Sequence, residues 1–95
     1  AAPSGCLNST LRGIVADMAS YGQVTVNSTC RSREHNARVG GAHRSQHLLG
    51  NAVDFRIRGN YRAAYAALRS NPSLGGIKHL GGGLFHIDTG PKRSW

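Results

Sequence analysis

Ninety-five residues make one domain with a modest core, and chains this short often rely on a staple or a metal. Twelve Lys and Arg stand against only four carboxylates, Asp17, Glu34, Asp54 and Asp88, giving a formal charge of +8. Such a chain seeks polyanions. No stretch approaches the roughly 20 apolar residues needed to span a bilayer, which argues against a transmembrane segment.

The basic residues run from Arg12 to Arg93 without filling one helix, and aromatics do not alternate with them. A base-stacking platform is therefore not indicated, and nucleic acid is not the expected partner. Residues 1–7 read as an N-terminal arm. Its opening Ala1-Ala2-Pro3-Ser4 reads as the start of a mature protein after signal-peptide removal, which predicts a periplasmic or secreted location. Cys6 and Cys30 are not in a Cys-x-x-Cys pair. A disulfide between them would close a loop of roughly 25 residues and contribute about 3 kcal/mol. It would also place the chain outside the reducing cytosol; the alternative is two buried free thiols.

Asn8 or Ser9 can cap a first helix whose apolar positions are Leu11, Ile14, Val15 and Met18. Tyr21-Gly22 ends it. Val24 and Val26 alternate through a strand over 23–27. From Ser28 to Gly50 no period is visible; a loop that long in so small a domain is either disordered or functional, and its Gly40-Gly41 pair and its end at His47 favour function. A second strand over 52–58 turns Val53, Phe55 and Ile57 to one side and Ala52, Asp54, Arg56 and Arg58 to the other. Asn60 caps a second helix with Tyr61, Ala64, Tyr65 and Leu68 on its inner stripe, and Asn71-Pro72 stops it. Residues 75–80 and 84–89 form a hairpin around Gly81-Gly82-Gly83. On its last strand Phe85 and Ile87 face the core, so His86 and Asp88 share the opposite face. The fold class expected is α+β, a small antiparallel sheet with two helices in a single domain over 1–95.

Two of the four carboxylates fall beside a histidine. If the strands carrying Asp54 and His86 are neighbours, those side chains converge, and His47 enters from the loop. Two imidazoles and one carboxylate suit zinc and leave a position open for water. Asp88 would then be a general base for that water or a partner that holds a ligand imidazole; His79 is the second choice of base. The plainer alternative is that His47 is a loop residue and Asp54 pairs with Arg56 or Arg58. His35 and His43 read as loop structure, and Trp95 as packing.

The run Ser45-x-His47-x-x-Gly50-x-Ala52-x-Asp54, followed by Phe85-His86-Ile87-Asp88, resembles the zinc peptidases of the D-alanyl-D-alanine carboxypeptidase type. More narrowly it resembles the small M15-type murein peptidase domain, related in fold to the hedgehog signalling domain. The stretch from Arg31 to Ala42 and the end from His86 to Trp95 carry the same likeness, which covers residues 23–95. The resemblance implies that His47, Asp54 and His86 bind zinc. It implies that Arg31 grips a substrate oxygen, with Ser45 and Gln46 lining the same mouth. It further implies a monomeric zinc metallopeptidase that cuts crosslinks or terminal residues of peptidoglycan stems. Two departures stand out. Members with a Glu-x-x-His pair have glutamate where this chain has Gly83, and members with His-x-His have histidine where it has Leu84. The alternative implied by the missing glutamate is an inactive, metal-holding module that binds cell wall or a protein.

Overall fold

The computed structural model describes residues 7–29 and 51–91. Asn8 opens the first helix, α1 (Ser9–Asp17), as its chemistry predicts: its side-chain oxygen accepts from the Leu11 N–H at 2.9 Å. The same side chain donates to Asn51 Oδ1 at 3.2 Å and to Thr89 Oγ1 at 3.0 Å. One amide thus caps the helix and ties it to two distant segments. The α-helix stops earlier than Tyr21. Met18–Tyr21 tightens into a 3-10 turn, and Gly22 opens the first strand instead of closing the helix.

The strands are β1 (Gly22–Ser28), β2 (Ala52–Gly59), β3 (Gly76–Gly81) and β4 (Leu84–Asp88), with α2 (Tyr61–Arg69) between β2 and β3. Asn60 caps α2 through the Ala63 N–H. The sheet order is β1-β2-β4-β3, and all pairings are antiparallel. The predicted α+β class holds, with small differences at element ends.

Register follows from burying one face. Val26, Phe55 and Phe85 lie in one cross-strand row, and Val53, Ile87 and Ile77 in another. The helices cover this face with Leu11, Ile14, Met18, Ala64 and Leu68. Phe55 and Phe85 are fully buried, with ring centroids 5.8 Å apart. Truncating either would cost about 3–5 kcal/mol. Tyr61 and Tyr65 are half-buried and pack on the same core. The result is two layers: helices on one side of the sheet, and the polar residues of β2 and β4 on the other. One close approach fixes the end of the sheet near these residues. The Gly75 N–H donates to the Asp88 carbonyl at 2.9 Å, and any Cβ at Gly75 would collide with the Gly90 carbonyl.

Candidate active site

The two-residue period of β2 puts Asp54 and Arg56 on the face away from the helices, and that of β4 does the same for His86 and Asp88. The β2–β4 register sets Asp54 directly opposite His86. Their side chains meet: His86 Nδ1 lies 2.8 Å from Asp54 Oδ1. On the other edge of the ring, His86 Nε2 lies 2.7 Å from Asp88 Oδ2. Asp88 Oδ1 accepts from the Gly90 N–H at 3.1 Å. The side chains of His86 and Asp54 keep 19% and 21% exposure, whereas that of Asp88 keeps 0%.

A ring with a carboxylate at each nitrogen needs two N–H donors, which is the imidazolium. Burial alone would lower the His86 pKa. The hydrogen bonds to Asp54 and Asp88, with the charges behind them, outweigh it and hold the pKa above the ordinary 6.5. A cation shared by Asp54 Oδ1 and His86 Nδ1 would take the place of the Nδ1 proton. Two donors each about 2.0–2.1 Å from one zinc ion can be at most about 4.2 Å apart, and these two satisfy that bound. Asp88 cannot join them on the same ion, because it sits behind the ring. Among the described residues no group of three His, Cys, Asp or Glu side chains forms a metal cage.

The arrangement fits a ligand imidazole held by a carboxylate on its far nitrogen, which fixes ring orientation and raises its basicity. Of the two roles predicted for Asp88, the geometry favours support. A general base must reach water, and both Asp88 oxygens are engaged in a fully buried side chain.

His79 is not on this face. It is the cross-strand partner of Phe85, so it points with Phe85 toward the helices. Its ring stacks on Phe85 at 4.7 Å between centroids and lies against Tyr61 and Tyr65 at 5.2 and 5.8 Å. Its Nε2 accepts from the Gly83 N–H at 3.2 Å. It cannot serve as base to a water near His86, and its role is packing. The plainer reading offers Arg56 or Arg58 as a partner for Asp54. Arg56 instead donates from Nη1 to the Gly82 carbonyl at 2.8 Å. Sequence reasoning missed this contact, although the shared parity of residues 54 and 56 was visible. His47, Arg31, Ser45, Gln46, Cys6 and Cys30 lie outside the described residues. A cavity of about 490 Å³ lined by Ile14, Met18, Tyr21 and Leu68 lies in the helix layer and includes none of the predicted site residues.

A cross-strand carboxylate–imidazole pair, backed by a buried carboxylate, thus stands on the face of a small α+β sheet away from the helices. The chain belongs to the peptidase M15 family, whose model matches residues 2–88. It is 35% identical over 83 residues to the peptidoglycan L,D-endopeptidase MepK of Escherichia coli strain K12. The same figures hold for MepK of Escherichia coli O157:H7 and of Shigella flexneri. The match covers 82% of this chain and 41% of each relative, so the chain spans well under half their length. Among the described residues no helix is long and apolar enough to cross a membrane.

Proposed function

We propose that this chain carries a zinc-dependent peptidase site that hydrolyses peptide bonds in peptidoglycan stems, with L,D crosslinks as the first substrate to test. Family membership supports a peptidase, and the relatives' L,D-endopeptidase activity suggests the bond. The observation that carries the reading is the Asp54–His86 pair backed by Asp88. Asp54 and His86 would hold the ion, with His47, seven residues before Asp54 in the sequence, as the third ligand. Bound zinc would supply an activated water near neutral pH and polarise the scissile carbonyl.

The remaining work falls to the chain's own groups. Asp88 would keep the Nε2 proton of His86 in place, which leaves the Nδ1 lone pair for the ion that Asp54 would share. Gly90 keeps Asp88 from rotating away. Ala52, next to Asp54 on the same parity, adds no bulk to this face. Arg31, Ser45 and Gln46 are proposed to bind substrate oxygens, and a Cys6–Cys30 disulfide in an extracytoplasmic compartment is proposed with them. The protein is proposed to act as a monomer on peptidoglycan.

The test is mass spectrometry of muropeptides after digestion of whole sacculi. Chelation should abolish product and added zinc should restore it. Product that persists unchanged after chelation contradicts the reading.

One observation favours a second reading. Gly83 stands where a Glu-x-x-His pair would have its acid. With φ +83° its Cβ would strike the Ile57 carbonyl, so no glutamate fits in this hairpin. A metal-holding module without catalysis would bind zinc and sacculi yet release no product in the same assay.

A further inference from the structure

We infer that Arg56 is a specificity residue that reads a free carboxylate on the substrate peptide, held in position by the Gly82 carbonyl. The inference rests on the peptidase reading for the nature of the substrate, and on separate observations for the site.

Arg56 shares the Asp54–His86 face and lies two residues along β2 from Asp54, about 6.5 Å between Cα atoms by strand rise. A bound peptide advances about 3.3–3.6 Å per residue. A carboxylate one or two residues from the bond being cut therefore falls within its reach. Arg56 is half-buried as a residue, its guanidinium bond to Gly82 is exposed, and it makes no ion pair among the described residues. Among the described residues the three acids are placed elsewhere: Asp54 and Asp88 flank His86, and Asp17 ends α1 in the helix layer. Gly82 takes one of five N–H donors, which leaves a planar fork suited to a carboxylate.

The glycine run explains how the fork is aimed. Gly81, Gly82 and Gly83 adopt φ of +100°, +59° and +83°. This conformation lets the Gly83 carbonyl accept from the Ile57 N–H at 2.9 Å and brings Gly82 onto Arg56. A Cβ at Gly82 would lie 3.0 Å from Arg56 Nη1. Side chains here would both strain the turn and displace the guanidinium. The three glycines thus act as a bracket for one cation beside the proposed metal ligands.

The test is titration calorimetry of the zinc-loaded protein with two uncleavable stem-peptide analogues. They differ only in a carboxylate, free or converted to carboxamide, next to the position of the scissile bond. Wild type should prefer the free acid by roughly tenfold, the scale of one charge-assisted pair. Arg56→Gln should bind both peptides alike, and Gly82→Ala should narrow the preference. Arg58→Gln, which changes an exposed cation farther along the same face, should leave it intact and so exclude a general effect of net charge. Arg56→Lys should keep part of the preference, which guards against misfolding as the cause. Equal binding of both peptides by wild type overturns the inference, as does an undiminished preference in Arg56→Gln. Because binding is read without turnover, a protein that shows the preference but cuts no sacculi sinks the peptidase reading and leaves the carboxylate site standing.

Discussion

His79 and His86 sit on adjoining strands of one hairpin, and their surroundings differ because they lie on opposite faces. His79 pairs across the ladder with Phe85 and joins an aromatic cluster against the helices. His86 pairs with Asp54 and lies between two carboxylates. One imidazole is used for its shape and one acceptor nitrogen, the other for its charge. A histidine's chemistry is thus set by the parity of its strand position, not by proximity in sequence to a motif.

The sharpest way to break this contrast is to remove each ring in turn. His86→Ala should eliminate detectable sacculus hydrolysis while the far-ultraviolet circular dichroism stays that of wild type, since the core face is untouched. A folded His86→Ala protein with wild-type turnover would remove His86 from the site.

Next in size is Asp88→Asn. It keeps an acceptor for Nε2–H and removes the charge behind the ring. Zinc affinity and kcat/KM should fall about 10–100-fold. The loss should appear in zinc titrations as well as in turnover. If Asp88 were instead the base, turnover would collapse with zinc affinity unchanged.

The pH dependence follows from the raised His86 pKa. In metal-free protein the imidazolium's contribution to stability is fully present below the unfolded value near 6.5. It is lost as pH rises through the higher folded pKa. Zinc binding runs the other way, because it must displace the Nδ1 proton: affinity should rise through that same pKa and then level off. Urea denaturation of metal-free wild type and His86→Gln across this window isolates the first effect. A constant difference in stability between the two proteins across the window would contradict it.

The smallest effect is expected from His79→Phe. The ring contacts survive, and only the bond from the Gly83 N–H is lost, for about 1 kcal/mol. Zinc content should stay at the wild-type level. A loss of metal in this variant would mean that the two faces are not independent.

Much of the fold was readable because β2 and α2 carry clean periods. Val53, Phe55 and Ile57 alternate with Asp54, Arg56 and Arg58, and both caps are asparagines with free acceptors. The placement of Asp54 opposite His86 was conditional, because pairing of β2 with β4 is a long-range choice that skips β3 in the chain. β3 was harder. Its apolar residues Ile77 and Leu80 have opposite parity, and Leu80 ends 46% exposed beside a register shift between His79 and Gly81. No pattern in six residues could say which face His79 would take. The contact of Arg56 was illegible for a different reason. Its partner is a backbone carbonyl 26 residues away, and side-chain types do not announce such a bond.

The central claim is that one zinc ion binds on the His86 face of the sheet, through Asp54 and His86. Cobalt substitution monitored by visible absorption, alongside zinc stoichiometry, tests it most directly in wild type, Asp54→Ala, His86→Ala and His79→Phe. The account predicts one equivalent of metal and a shared tetrahedral spectrum in wild type and His79→Phe, with neither in the other two. A full equivalent with an unaltered spectrum in His86→Ala or Asp54→Ala would contradict it.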